Sequence, residues 1–168
     1  GLKVNGLAYG CWRLAGTRER NAVAADAEKN GVRAIMAAYD AGYTLFDNAD
    51  IYCAGLAESI FGQALRENPS LREKIVIATK CGIRFAGSPN PDSPQRYDFS
   101  EEHIIRSCEE SLKRMNTDVI DLYQLHRPDY LMDPAEVAGA FDKLHRQGKV
   151  RFFGVSNFTA SQVELLRR

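Results

Sequence analysis

Side chains that can exchange protons recur directly after short apolar segments of the sequence. Asp47 ends "YTLFD" and is followed five residues later by Tyr52, within "FDNADIY". Lys80 ends "IVIATK", and His126 ends "VIDLYQLH". Such groups can serve an active site by moving protons and by stabilising developing charge. Each of them alone is more often a turn, rim or surface residue. The fold must therefore bring them together if they are to do chemistry.

Soft metal ligands give a second interpretation of the same strand ends. Cys11, Cys53, Cys81 and His126 all fall near ends of predicted strands, and thiolate and imidazole are ligands that Zn²⁺ prefers. No two of them have the close spacing of a structural zinc site, so a zinc-binding protein is the weaker alternative. The chain has four cysteines and no CxxC pair, and we expect reduced thiols in a cytoplasmic protein.

Short apolar segments alternate with amphipathic segments along the chain, which predicts an α/β fold. The predicted strands are 6–10, 43–47, 75–80, 119–126 and 150–157. The predicted helices are about 31–41, 57–67, 101–115, 134–147 and 160–168. Ser100, Asp133 and Thr159 are predicted helix N-caps, and residues 86–100 a Pro-rich loop. Strands that are apolar on both faces indicate a parallel sheet covered by helices.

Two parallel architectures fit this alternation. A doubly wound sheet usually carries G-x-G-x-x-G after its first strand, and this sequence lacks it. In a (β/α)8 TIM barrel, the carboxyl ends of all strands meet on one face, where the active site lies. Polar residues at successive strand ends favour the barrel: Asp47, Lys80, His126, Ser156 and Asn157.

Only five of the eight βα units of a barrel are visible in the sequence. A complete barrel takes about 250 residues, and this chain has 168. We therefore expect residues 1–168 to form a single, incomplete barrel domain that is the first part of a longer protein. Because edge strands carry unpaired backbone groups, self-association through the exposed edges is expected.

The sequence resembles the aldo-keto reductases over essentially its whole length. Four motifs carry the resemblance in family order: "DNADIYCAGLAESIFGQAL", "IVIATKCG", "SLKRMNTDVIDLYQLHRPD" and "GKVRFFGVSNF". That family folds as a (β/α)8 barrel and reduces aldehydes and ketones with a nicotinamide cofactor. The resemblance therefore implies an NAD(P)H-dependent oxidoreductase that acts on a small carbonyl compound. NADPH is the expected cofactor, with NADH as the alternative.

The resemblance also implies a catalytic tetrad of Asp47, Tyr52, Lys80 and His126. In that assignment, Tyr52 donates a proton to the carbonyl oxygen. Lys80 supplies a positive charge beside the phenol and is paired with Asp47, because a free phenol with a pKa near ~10 is a poor acid at neutral pH. His126 forms a hydrogen bond with the carbonyl oxygen and fixes its position.

Further positions match cofactor and substrate contacts of the family. The cofactor contacts that the resemblance implies are Gly10, Cys11, Trp12, Asp47, Ser156 and Asn157. The substrate contacts are Trp12, Tyr52 and His126. Ser156 and Asn157 resemble the pair that holds the nicotinamide carboxamide, although a helix cap is their alternative role. Glu58 opens the second helix, where an anion suits the helix dipole, but a surface charge explains it equally well.

A nonenzymatic protein is the other class that the resemblance leaves open. Some proteins similar to the aldo-keto reductases keep the barrel and the nucleotide and act as sensors or regulatory subunits. The intact tetrad favours the enzyme, and oxidation of the cofactor during carbonyl turnover would separate the two classes.

The composition gives no sign of a nucleic-acid or membrane partner. Lys plus Arg and Asp plus Glu both number 22, and no run of basic residues occurs. A membrane helix needs about 20 consecutive apolar residues, and the sequence has no such stretch. We therefore expect neither kind of partner.

Overall fold

Five parallel strands form the central sheet. In the computed structural model, which describes residues 1–167, they lie side by side in the order β1 (Ala8–Gly10), β2 (Leu45–Asp47), β3 (Val76–Cys81), β6 (Ile120–Leu125) and β7 (Val150–Val155). Each neighbouring pair is parallel. The order follows the chain without the reversal that a doubly wound sheet requires. This is the arrangement of consecutive βα units in a barrel, as predicted.

A helix connects each strand of this sheet to the next and another follows the last strand. The helices are α1 (Ala27–Asp40), α2 (Leu56–Glu67), α3 (Glu101–Met115), α4 (Pro134–Arg146) and α5 (Ala160–Leu166). The first four pack each against the next in chain order, so they form a layer beside the sheet. Arg168, the last residue of the final predicted helix, lies outside the described residues. None of the helices in the described range is long and apolar enough to cross a membrane.

The predicted N-caps hold the starts of the last three helices. The Ser100 hydroxyl accepts a hydrogen bond from the His103 amide, and the Asp133 carboxylate accepts one from the Ala135 amide. Thr159 forms a complete capping box, because the Gln162 side chain also accepts a bond from the Thr159 amide. Side chains thus satisfy backbone donors that a helix leaves unpaired in its first turn.

A short hairpin occupies part of the segment predicted as a loop. The strands β4 (Ile83–Arg84) and β5 (Arg96–Tyr97) pair antiparallel, and a 2.6 Å ion pair joins Arg84 to Asp98. Two-residue strands are too short to produce a recognisable alternation, so the sequence pattern misses them. The hairpin lies in the connection between β3 and the helix α3.

The strand register places three of the proton-exchanging residues on one face of the sheet. Asp47 pairs with Ala78, and Lys80 pairs with Gln124. Since side chains two residues apart in a strand share a face, Lys80 shares the face of Ala78 and so of Asp47. His126 follows Gln124 by two residues, just beyond the end of β6. All three side chains therefore meet at the carboxyl end of the sheet.

We predict that the 168-residue chain self-associates through β7. Within residues 1–167, β7 pairs only with β6, and its Phe152 is 38% exposed. Unpaired edge strands pair readily with other chains. Sedimentation velocity over a range of concentrations should show association that Phe152→Glu weakens. Leu131→Glu, at a fully exposed position outside the sheet, adds the same charge and should have no effect. A monomer at every concentration would contradict the prediction.

Candidate active site

Lys80 lies at the centre of the site. Its Nζ is 2.7 Å from Asp47 Oδ1, donates to the main-chain carbonyl of Asn48 at 2.8 Å, and donates to Tyr52 Oη at 3.2 Å. An ammonium group has three N–H donors, and these three oxygen atoms match that number. The Lys80 side chain is only 6% exposed, whereas that of Asp47 is 33% exposed, so water reaches the ion pair from the carboxylate side.

The loop between β2 and α2 places Tyr52 beside this ammonium group. Hydrogen bonds join the loop to the main chain of β3, from the Asn48 amide to Ala78 O and from the Asp50 amide to Lys80 O. The chain then turns sharply, because residues 53–55 all have positive φ. Gly55, with φ +85, ends this turn and caps α2. The position of Tyr52 therefore depends directly on the strand that carries Lys80.

His126 completes the predicted tetrad. Its amide donates to Cys81 O, and its carbonyl accepts from Asn157 Nδ2 at 2.9 Å. The imidazole ring centre lies 5.9 Å from that of Tyr52, in an edge-to-face arrangement. Burial and the positive charges of Lys80 and Arg127 lower the His126 pKa to about 4. The imidazole is therefore neutral near pH 7.

One cavity of about 460 Å³ brings most of the predicted site residues together. The predicted residues in its wall are Trp12, Asp47, Tyr52, Lys80, His126, Ser156 and Asn157. Its volume falls within the range of small-molecule sites. The Trp12 ring centre lies 6.4 Å from that of Tyr52. The walls thus combine a proton-exchanging group with aromatic surface.

Gly10 and Cys11 lie outside this cavity. Gly10 ends β1, where it pairs with Asp47. Cys11 begins a 3₁₀ turn and is fully buried in the hydrophobic core, where burial raises its pKa far above the usual range of a thiol. The predicted contact between Cys11 and a cofactor is not available in this structure, because the residue has no exposed surface.

The zinc alternative fails on the same geometry. Within residues 1–167, no three His, Cys, Asp or Glu side chains come close enough together to hold a metal ion. Cys81 follows Lys80 and points to the helix side of the sheet, away from the cavity, because side chains alternate along a strand. Burial also raises its pKa well above normal, whereas zinc binds the thiolate.

Six residues of the cavity wall have no place among the predicted contacts: Arg18, Ile51, Cys53, Ile83, Phe85 and Arg127. Arg127 directly follows His126, so its position next to a strand end is a signal that could have identified it. Ile83 and Phe85 belong to the hairpin region that the sequence pattern misses. Arg18 lies in the irregular connection between β1 and α1, where no periodicity indicates the direction of a side chain.

Glu58 is a buried residue and not a surface charge. Its side chain is fully buried, and it accepts hydrogen bonds from Thr79 Oγ1 at 2.6 Å and from Arg114 Nε at 2.7 Å. Thr79 directly precedes Lys80 and points to the helix side of the sheet. Glu58 therefore links α2 both to β3, one residue before Lys80, and to α3.

Comparisons with known proteins match one protein family over nearly the whole chain. The family model described as the aldo/keto reductase family matches residues 6–168. An uncharacterised oxidoreductase of Bacillus subtilis, YcsN, is 44% identical over 166 residues, which cover 98% of this chain and 53% of that protein. A 6-dehydroglucose reductase of Novosphingobium aromaticivorans is 42% identical over 172 residues, which cover 99% of this chain and 52% of that protein. The chain thus spans about half the length of these curated relatives.

A solved structure supports the same assignment of the fold. The aldo/keto reductase of Klebsiella pneumoniae, in complex with NADP and acetate, superposes with a TM-score of 0.78 at 30% identity. The match covers 98% of this chain and 50% of that one. The five βα units therefore correspond to part of an aldo-keto reductase barrel.

We predict that Glu58→Leu lowers the free energy of unfolding by about 3 kcal/mol. Leucine removes the buried partner of Arg114 and of Thr79 and leaves Arg114 with the more distant Glu110. We take the low end of the usual cost for a broken buried ion pair because Arg114 is also a quarter exposed. Glu110→Leu is the matched control, since Glu110 faces the same guanidinium group at 3.7 Å but is half exposed. It should cost under about 1 kcal/mol. Equal losses in urea unfolding would contradict the role of Glu58.

We also predict that His126 titrates near pH 4 in the folded protein. The His126 pKa is about 6.5 in the unfolded chain and about 4 in the folded protein, so between these values the unfolded chain binds the proton more tightly. The free energy of unfolding therefore decreases as the pH falls from about 6.5 towards 4. An NMR titration, with His126→Gln to assign the resonance, measures the pKa. A midpoint near 6.5 would contradict the prediction.

Proposed function

The chain belongs to the aldo/keto reductase family, and on that basis we propose that the protein reduces an aldehyde or ketone to an alcohol with NADPH. The observation that carries the proposal is the contact of one ammonium group, Lys80 Nζ, with both Asp47 and Tyr52 in a cavity wall. Relatives that bear the name oxidoreductase or reductase support it. NADH is the alternative cofactor.

Tyr52 is the proton donor in this proposal. Reduction of a carbonyl group adds a hydride to carbon and a proton to oxygen, and the bound cofactor would supply the hydride. Tyr52 gives its hydroxyl proton to the carbonyl oxygen, which leaves negative charge on the phenol oxygen. Lys80, 3.2 Å away, stabilises that charge, and Asp47 holds the ammonium group in place. A proton from bulk solvent then restores the Tyr52 hydroxyl group, so each turnover consumes one hydride and one proton.

His126 orients the carbonyl group. Because its pKa is about 4, the imidazole is neutral and offers one N–H as a hydrogen-bond donor. A neutral donor can hold the carbonyl oxygen without competing with Tyr52 as the acid. Its edge-to-face contact with the Tyr52 ring keeps the two groups adjacent.

Ser156 and Asn157 fit the carboxamide of a nicotinamide ring. Both line the cavity, and Asn157 Nδ2 already donates to His126 O and to Ser156 Oγ. The Asn157 side-chain oxygen remains as an acceptor, and the Ser156 hydroxyl remains as a donor. A primary carboxamide offers the complementary pair, an N–H₂ donor and a carbonyl acceptor. We therefore assign the nicotinamide end of the cofactor to these residues.

The cysteines support a cytoplasmic location. All four are buried and unpaired, and buried free thiols suit a compartment that keeps cysteines reduced. We accordingly propose that the reaction takes place in the cytoplasm.

We predict that Tyr52→Phe slows carbonyl reduction by the full-length protein by roughly 100-fold or more, the scale expected for loss of a positioned general acid. The ring is kept, so the melting temperature and the affinity for NADPH should barely change. Tyr130→Phe, at an exposed position outside the cavity, is the matched control and should leave the rate intact. The measurement is NADPH oxidation with 4-nitrobenzaldehyde.

Two outcomes would count against the proposed function. If Tyr52→Phe turns over within twofold of the parent, Tyr52 is not the proton donor. If the parent binds NADPH but oxidises it with no carbonyl compound, the protein belongs to the nonenzymatic class.

A further inference from the structure

Two arginine side chains in the cavity wall carry charges that no carboxylate balances. Arg18 and Arg127 both line the cavity. Among residues 1–167, no Asp or Glu oxygen lies within 4.0 Å of either guanidinium group. By contrast, Arg84, which also lines part of the region after β3, is paired with Asp98 at 2.6 Å. These two charges therefore remain available to a ligand.

The charge of the cavity is positive although the chain as a whole is neutral. Basic and acidic residues each number 22 in the sequence. In the cavity wall, Lys80 and Asp47 neutralise each other, and His126 is neutral near pH 7. The charges of Arg18 and Arg127 then remain. A concave surface lined by one sign of charge concentrates its field and attracts ions of the opposite sign.

Trp12 holds Arg18 at the wall without neutralising it. The Arg18 guanidinium carbon lies 4.0 Å from the centre of the Trp12 ring, and that of Arg13 lies 5.1 Å from it. Such cation–π contacts fix the position of a guanidinium group but leave its N–H donors free. The planar group can therefore still bind a carboxylate or phosphate through two parallel hydrogen bonds.

Arg18 and Arg127 each lie next to an aromatic neighbour of Tyr52, the proposed proton donor. The Tyr52 ring is close to that of Trp12, which contacts the Arg18 guanidinium group. It is also close to that of His126, the residue directly before Arg127 in the sequence. The field of Arg127 reaches the His126 ring, where it helps to lower the pKa. A small molecule that places its carbonyl oxygen at Tyr52 would thus lie within reach of guanidinium groups.

We propose that the carbonyl substrate carries an anionic group, a carboxylate or a phosphate, that binds to Arg18 and Arg127 while the carbonyl oxygen faces Tyr52. The inference rests on the proposed reductase function of the same cavity. The cavity of about 460 Å³ must also take the nicotinamide end of the cofactor at Ser156 and Asn157, so the space left suits a small aldehyde or ketone.

Binding of a carboxylate can be measured without turnover. Trp12 is the only tryptophan of the chain, so its fluorescence reports on the cavity wall. Benzoate and benzamide have nearly the same shape and differ in charge. Benzoate should bind at least tenfold more tightly in titrations of Trp12 emission, and Arg18→Gln and Arg127→Gln should each reduce this preference severalfold. Arg20→Gln removes a charge from the same connection outside the cavity and should preserve it.

Turnover gives the second arm of the test in the full-length protein. 4-Carboxybenzaldehyde and 4-nitrobenzaldehyde are close in shape, and only the first is anionic. We expect kcat/KM for the carboxylated aldehyde to fall at least tenfold further than the value for the nitro compound in Arg127→Gln, while the affinity for NADPH stays within twofold. Here too Arg20→Gln should behave as the parent.

The outcomes separate this inference from the proposed function. Turnover of both aldehydes with no charge preference would overturn the anion site and leave the reductase intact. A benzoate preference that depends on the arginines, in a protein without turnover, would support the anion site and overturn the reductase. Benzoate binding that both arginine variants leave unchanged would overturn the inference, as would a loss of NADPH affinity in those variants, since the arginines would then hold the cofactor.

Discussion

The ammonium group of Lys80 is the interaction on which the geometry of the site depends. It is almost fully buried, and it contacts a carboxylate, a main-chain carbonyl and a phenol oxygen. A buried charge is stable only when such partners surround it. Asp47 ends β2, Asn48 and Tyr52 belong to the loop that follows, and Lys80 itself comes from β3. These elements must therefore keep their relative register for the charge to remain buried.

A second buried charge on the other side of the sheet holds that register. Glu58 binds Thr79, the residue before Lys80, and Arg114 of α3. Because side chains alternate along β3, Lys80 points towards the cavity and pairs with Asp47, whereas Thr79 points towards the helices and binds the charged Glu58. The loop with Tyr52 lies between the two, because it begins at Asp47 and ends at the first turn of α2. The catalytic geometry we propose is supported from both sides.

The sequence predicts the regular elements and the strand-end residues well, because both follow from periodicity. Strand ends in a parallel sheet meet on one face, so Asp47, Lys80 and His126 could be expected together. The partners of Glu58 could not, since Arg114 is 56 residues away and no local pattern connects them. Cys11 lies in a 3₁₀ turn, where alternation does not fix which way a side chain points, and its burial removes it from the predicted cofactor contacts.

The central claim is that Lys80 acts through Tyr52, and a double-mutant cycle on the full-length protein tests it most directly. Lys80→Met keeps most of the side-chain volume and removes the charge, and Tyr52→Phe removes the hydroxyl group that the charge would serve. The measured quantity is kcat/KM for reduction of a neutral aldehyde in the parent, both single variants and the double variant. Our account predicts that the double variant is about as slow as the slower single variant. Losses that multiply would show that the two residues act independently and would contradict it.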